Sequence, residues 1–133
     1  GTTKTLNILP DSFVINDDAG RPCMIEDDTS NIVGAINNGS DLIYAFFPID
    51  DGWKVTKVHI HASSSVANGG TIYPFVHSTG ATNGSSASDI TFNSNTTIAN
   101  EILSTTASSA TIKMTPAAAT VIIYGITITF EMI

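Results

Sequence analysis

The last fourteen residues, 120–133, constrain the fold more than any other stretch of this chain. Apolar side chains occupy every second position there: Ile122, Tyr124, Ile126, Ile128, Phe130 and Met132. Polar residues fall between the later ones, at Thr127, Thr129 and Glu131. A period of two predicts a β-strand with one face buried and, in its second half, the other face in water. Because an ordinary strand has about five or six residues, this segment must bend, and Gly125 is the predicted bend.

Hydroxyl and amide side chains dominate the polar part of the sequence. The 133 residues include 18 Thr, 14 Ser and 10 Asn, whereas only 13% are charged. Thr favours strands, and Ser and Asn favour turns over helix interiors. The composition therefore predicts an all-β protein with polar loops, and the length suits a single domain over 1–133.

Several internal segments have the patterns of strands. Residues Thr5–Leu9 are predicted to form a short edge strand. Residues 42–47 are apolar at odd and even positions alike, which predicts a strand covered on both faces or lying at a subunit contact. Between 53 and 63 the apolar positions change from odd to even near Thr56-Lys57, as a β-bulge requires. Pro74 limits the strand over 71–77 to a sheet edge or a bulge.

The number of these segments indicates the architecture. Residues 108–114 alternate and precede the last strand, so these two strands are predicted to form a hairpin. Residues 95–104 are predicted to be irregular or a strand. About eight strands separated by turn signals predict an antiparallel two-sheet sandwich, jelly-roll-like, in which residues 1–40 form an arm or short edge strands.

The net charge of −7 argues against several partners. Five Lys and Arg cannot build a basic face against twelve carboxylates, so we predict no nucleic-acid partner and no anionic membrane partner. No apolar run, 121–125 included, approaches the ~20 residues of a spanning helix. The single Cys23 excludes an internal disulfide.

His59 and His61 form the one motif typical of a metal site. On a strand both imidazoles project to the same face, and His77 would come within reach if a hairpin set it opposite. The stretch superficially resembles the first metal motif of cupins, in which Gly precedes His-x-His and Glu follows. Gly52 is present, but residues 62–66 contain no carboxylate.

The simplest hairpin register argues against that metal site. Pairing Ile60 with Ile72 sets Tyr73 opposite His59 and His77 two pairs away. We therefore predict no cofactor and no metal, with zinc or iron on His59, His61 and His77 as the alternative.

The acidic residues cluster in the first part of the chain, for example at Asp17-Asp18 and Glu26-Asp27-Asp28. Such clusters suit calcium, but these lack the spacing of an EF-hand loop, so a solvated acidic surface is the prediction. Neither a marked carboxylate pair, nor a Gly-x-Ser-x-Gly motif, nor a phosphate loop occurs. We predict that the protein has no catalytic residues and is not an enzyme.

Aromatic residues are the remaining candidates for ligand contact. Six of them would suit a sugar-stacking platform: Tyr44, Phe46, Phe47, Trp53, Tyr73 and Phe75. Their positions in apolar strands favour core packing instead. Trp53 and Tyr73 are the candidate ligand-binding residues of the alternative function, a carbohydrate-binding module.

Two stretches, 46–63 and the opening 5–11, resemble small uncharacterised proteins of marine bacteriophages. The first stretch includes Pro48-Ile49-Asp50-Asp51-Gly52-Trp53-Lys54, followed by Val-x-Lys-Val. Those proteins often have a Pro-Asp-Gly-aromatic-Lys turn that enters a Val-x-Val strand. The resemblance implies a virion-associated β protein, located in a virion or outside the cell, and supplies no catalytic residues.

The leading hypothesis is thus a non-enzymatic structural or attachment protein that assembles with copies of itself, a trimer being one option. The predicted contact consists of Leu42, Tyr44, Phe46, Val121 and Ile123. Other virion proteins and surface glycans are further predicted partners.

Overall fold

The computed structural model describes residues 2–17, 24–27, 31–36, 42–64, 69–115 and 121–133. Twelve strands lie in these ranges: β1 (Thr3–Ile8), β2 (Val14–Ile15), β3 (Met24–Glu26), β4 (Gly34–Ile36), β5 (Ile43–Pro48), β6 (Trp53–Ala62), β7 (Gly70–Val76), β8 (Ala81–Thr82), β9 (Ser88–Ile90), β10 (Thr96–Leu103), β11 (Ser109–Met114) and β12 (Ile123–Met132). Two 3-10 turns, Pro10–Ser12 and Gly84–Ser86, are the helical elements of the described residues. The strands outnumber the predicted ones because β2, β3, β4, β8 and β9 have only two or three residues each.

The strands form two antiparallel sheets of six strands. Sheet A has the order β10-β6-β12-β4-β3, and β1 pairs with the part of β12 that β4 leaves free. Sheet B has the order β2-β5-β11-β7-β8, with β9 also paired to β7. Phe47 of β5 meets Phe130 of β12 edge-to-face at a centroid distance of 5.9 Å. The core thus lies between the sheets, and the predicted all-β, antiparallel two-sheet sandwich is confirmed.

β12 is the central strand of sheet A and pairs with β6 along its whole length. Its even positions are buried as predicted at Ile126, Ile128 and Phe130. The register shifts between Ile123 and Gly125, which is the predicted bend, and Ile123 faces the core on the opposite parity. A Cβ at Gly125 would lie 3.1 Å from the carbonyl oxygen of Ile8, so β1 can approach closely only beside a small residue.

The bulge predicted in β6 is present at Thr56. β12 pairs Thr129 with Lys57 and Phe130 with Val55, which leaves Thr56 as the extra residue. Val55 and Thr56 are both buried, and the apolar parity changes after them. The Thr56 hydroxyl donates a hydrogen bond to the carbonyl oxygen of Thr129 at 3.4 Å.

Two predicted strand pairings are wrong. β6 lies between β10 and β12 in sheet A, whereas β7 lies in sheet B, so Ile60 does not pair with Ile72. β11 lies between β5 and β7 in sheet B and forms no hairpin with β12. Both connections cross from one sheet to the other, and alternation within a strand cannot reveal that.

The predictions for β1 and β10 agree with the structure, whereas β7 is neither an edge strand nor bulged at Pro74. β1 is an edge strand, and the segment predicted to be irregular or a strand forms β10. On one side of β7, Pro74 pairs with Ala110 of β11. On the other side, β9 pairs with the start of β7 and β8 with its end, and Pro74 lies in the unpaired gap between them. The missing N–H of Pro74 is tolerated at such a gap. No helix in the described ranges is long and apolar enough to cross a bilayer.

Candidate functional site

Aromatic side chains line the outer face of sheet B. Successive side chains of a strand point to opposite faces, so the residues between the buried ones point outward. The registers align three outward residues from each of β5, β11 and β7 in rows: Tyr44–Lys113–Thr71, Phe46–Thr111–Tyr73 and Pro48–Ser109–Phe75. We call these residues the aromatic face.

The rings of this face contact one another across the central strand. Phe46 meets Phe75 edge-to-face at a centroid distance of 5.2 Å, although β11 separates their strands. Strands two apart in a sheet are about 9.6 Å apart, so these rings lean over the small side chains of β11. Tyr44 and Phe46 lie 6.3 Å apart with planes at 19°. Phe46 is nevertheless 47% exposed, so a ring that ordinarily lies in a core faces water.

The hydroxyls beneath the rings are used within the sheet. Thr111 donates to the carbonyl oxygen of Ala45 at 3.1 Å, and Ser109 donates to that of Phe75 at 2.6 Å. The ammonium of Lys113 lies 5.6 Å from the centre of the Tyr73 ring. The chain has twelve carboxylates, but none stands at the positions of the aromatic face. The surface is therefore apolar, with a single positive charge.

Two shallow grooves border the aromatic face. One, of about 350 Å³, is lined by Phe46, Phe47, Pro48, Phe75, His77, Ser108 and Ser109. Nδ1 of His77 lies 3.1 Å from the Ser108 hydroxyl oxygen in this groove. The other, also about 350 Å³, reaches from Phe46 and Pro48 to the exposed side chains of Leu6 and Leu9. This second groove is mixed in character, because Asn7, Asp11 and Ser12 also line it.

A second cluster lies on the outer face of sheet A. The imidazoles of His59 and His61 stack at a centroid distance of 4.1 Å with planes at 19°. Nε2 of His61 lies 3.0 Å from the Thr127 hydroxyl oxygen, and that hydroxyl donates to Oδ1 of Asn7 at 3.0 Å. Burial, and after it the neighbouring His59, lowers the pKa of His61 below the ordinary value of 6.5. His61 is therefore neutral at physiological pH.

The three histidines of the alternative metal site do not come together. His77 follows β7 in sheet B, whereas His59 and His61 lie on β6 in sheet A. Within the described ranges, no group of three or more His, Cys, Asp or Glu side chains could hold a metal ion. Asp18 and Asp28 of the acidic clusters, and Cys23, lie outside the described residues.

Comparison with known proteins shows a likeness in fold but no match in sequence. Neither a family model nor a curated protein matches the sequence. The fold is similar to the C-terminal CBM6 of LamC, a marine laminarinase from Zobellia galactanivorans, with 13% identity and a TM-score of 0.43 over 95% of this chain and 99% of that chain. At so low an identity and TM-score, we draw nothing about function from it.

The predicted contact residues separate into two groups. Tyr44 and Phe46 belong to the aromatic face, and Leu42, half-buried, immediately precedes β5. Val121 and Ile123 are only 5% and 0% exposed, so they lie in the core and cannot meet a second chain. Residues 121–123 are apolar at every position because the core covers them, not because a partner does.

The candidate ligand-binding residues also lie apart. Trp53 is on sheet A, where it packs against the core and the Lys4 ammonium lies 4.3 Å from its ring centre. Tyr73 is on the aromatic face of sheet B. Core packing was the prediction for all six aromatic residues, and it is correct for Phe47 and wrong for the four on the aromatic face. In the sequence, these rings share one parity of 44–46 and of 73–75, but Phe47 on the other parity hides that pattern in β5.

Proposed function

We propose that this protein is a non-enzymatic structural module that associates with a second copy of itself through the aromatic face. The observation that carries the proposal is the exposure of aromatic rings on a sheet face without a carboxylate. Contiguous exposed apolar surface on a folded domain marks an interaction site. The cores of protein interfaces are enriched in aromatic residues and depleted of charged ones, as this face is.

Charge supports a second copy as the occupant. Each chain has a net charge of −7, so two copies repel one another over most approaches. When two copies meet through their aromatic faces, no carboxylate of one copy lies against a carboxylate of the other at the centre of the contact. Apolar contact can therefore outweigh the repulsion there.

The dimensions of the face set the expected strength and symmetry. Three strands with five residues each span roughly 15 Å by 15 Å. This is smaller than the roughly 800 Å² per partner of a standard interface, even when the rims at Leu6 and Leu9 are added. We therefore expect a weak, concentration-dependent association. Two identical faces that meet form a two-fold contact, which gives a dimer and not the trimer considered from the sequence.

Sedimentation velocity over a wide concentration range tests the proposal. The wild-type chain should shift from monomer to dimer as its concentration rises. Phe46→Ser should raise the dissociation constant about tenfold or more, because it removes a central aromatic anchor. Val33→Ser is the matched control, since Val33 is 58% exposed but lies next to β4 in sheet A. A wild-type chain that stays monomeric throughout, or an equal loss in the control, would refute the proposal.

Carbohydrate binding is the second candidate, and the groove beside Phe75 favours it. Its volume of about 350 Å³, its aromatic walls and its few polar groups at His77, Ser108 and Ser109 are typical of small-ligand sites. A sugar would stack on the rings and hydrogen-bond to His77. A glycan array followed by calorimetry tests this: His77→Gln and Phe75→Ala should each weaken binding. An array without a binder would leave self-association as the function of this surface.

The resemblance to marine phage proteins extends the proposal to location. A self-associating subunit of this kind would belong to a virion or to the exterior of the cell. Mass spectrometry of purified particles that encode this chain tests that prediction, and its absence from the particles would contradict it.

A further inference from the structure

The outer face of sheet A holds two imidazoles side by side, far from the aromatic face. His59 and His61 are two residues apart on β6, and a strand projects such residues to one face. Their ring centres are 4.1 Å apart. Imidazole nitrogens are good ligands for zinc, copper and nickel ions. Stacked rings hold their lone pairs parallel, so one ring must rotate out of the stack before both can bind one ion.

A hydrogen-bond chain sets the tautomer of His61. The Thr127 hydroxyl hydrogen goes to Oδ1 of Asn7, so the hydroxyl oxygen is left to accept a hydrogen bond from His61. Nε2 of His61 is then the protonated nitrogen, at 3.0 Å from that oxygen, and Nδ1 keeps its lone pair. Metal-binding histidines commonly donate their other ring N–H to such an acceptor, which orients the ring. The ring nitrogens of His59 have no hydrogen-bond partner in the described part of the chain.

The surface beside His61 is open on the side away from His59. A depression of about 250 Å³ borders His61, Tyr124, Gly125 and Thr127, and His59 does not line it. Gly125, which pairs with His61 across the sheet, offers no side chain to fill that space. Lys57, two residues from His59 on the same strand, opposes a cation, so the affinity depends on the imidazoles and not on the local charge.

We propose that His59 and His61 form an open two-histidine site for a divalent late first-row transition ion, with water in the remaining positions. Neither histidine takes part in the association through sheet B. The site is open because two protein ligands leave at least two positions of a tetrahedral ion to other donors.

Calorimetric titration of the full chain, without a histidine tag, with ZnCl2 tests the proposal. We expect one zinc ion per chain, and His59→Gln or His61→Gln should each weaken binding about tenfold or more. His77→Gln is the matched control, because it removes the third imidazole of the chain from the opposite sheet and should leave the affinity unchanged. Circular dichroism of each variant verifies that the fold is retained.

Two further measurements identify the ligands. Thr127→Val keeps both imidazoles but removes the acceptor of the Nε2 hydrogen bond, and it should weaken zinc binding less than loss of either histidine. Cu²⁺ should bind more tightly than Ni²⁺, and Mg²⁺ should not compete, as imidazole ligands require. The proposal is overturned if ZnCl2 produces no binding heat, if the double variant H59Q/H61Q binds zinc like the wild type, or if His77→Gln is equally impaired.

Discussion

Gly69 shows how little spare volume the core has beside Phe92. A Cβ at this position would lie 2.7 Å from the backbone nitrogen of Phe92, and Phe92 is buried, so it cannot move into solvent. We expect Gly69→Ala to lower the free energy of unfolding by about 1–3 kcal/mol, measured by urea denaturation. Gly84→Ala is the control, because no atom lies within 4 Å of the added carbon. Equal stability of the two variants would contradict this account of the packing.

His61 gives the stability a dependence on pH. Burial, followed by the nearby His59, lowers its pKa in the folded chain below 6.5. The unfolded chain therefore binds a proton at a higher pH than the folded chain, and the free energy of unfolding decreases as the pH falls through and below that ordinary value. Without metal, the melting temperature of the His61→Gln variant should fall less than that of the wild type when the pH is lowered from about 7.5 to 5.5. Identical pH dependence in the two proteins would show that His61 does not contribute.

Single residues also show where the sequence was sufficient and where it was not. That His59 and His61 share one face follows from their spacing along a strand. Their connection to Asn7 does not, because the Thr127–Asn7 hydrogen bond joins residues 120 apart in sequence. Local patterns fix the direction of a side chain, whereas its partner depends on the topology.

Among the strands, β6 shows what an extra residue does. Thr56 allows Val55 before the bulge and Val58 after it to face the same core. Deletion of Thr56 would shift one part of β6 by one residue. The apolar side chains either before or after the bulge would then face water. We expect this deletion to abolish cooperative unfolding, measured by circular dichroism during urea titration. Thr56→Val keeps the bulge residue and should cost no more than about 1.5 kcal/mol for the lost hydrogen bond.

The apolar patterns of the strands explain why the fold class could be predicted from the sequence and the aromatic face could not. The phase of apolar residues located the bulge of β6, and the length of the last strand together with Gly125 located its bend. In β5, however, both parities of 42–47 are apolar, so the pattern does not show that Tyr44 and Phe46 are the outward ones. The pairings of β7 and β11 also depend on which sheet each strand joins, and no local period records that.

For the whole molecule, the core separates two dissimilar surfaces. The aromatic face lies on the outer side of sheet B, and the polar histidine cluster lies on the outer side of sheet A. The two surfaces are at least about 10 Å apart, which is the spacing of packed sheets. We expect the two to act independently. Phe46→Ser should bind zinc like the wild type, and ZnCl2 should not alter the sedimentation of the wild-type chain. Zinc-dependent dimerisation that His61→Gln abolishes would contradict this separation.

The central position of β12 has a kinetic consequence. Its partners β1, β4 and β6 all precede it in the chain, and the pairing of Thr3 with Glu131 closes a very long loop. Sheet A cannot be completed until β12 has been synthesised, and non-local pairings of this kind make folding slow. A nascent chain therefore keeps its isoleucine-rich strands uncovered throughout that delay. We therefore expect incompletely folded chains to aggregate during production.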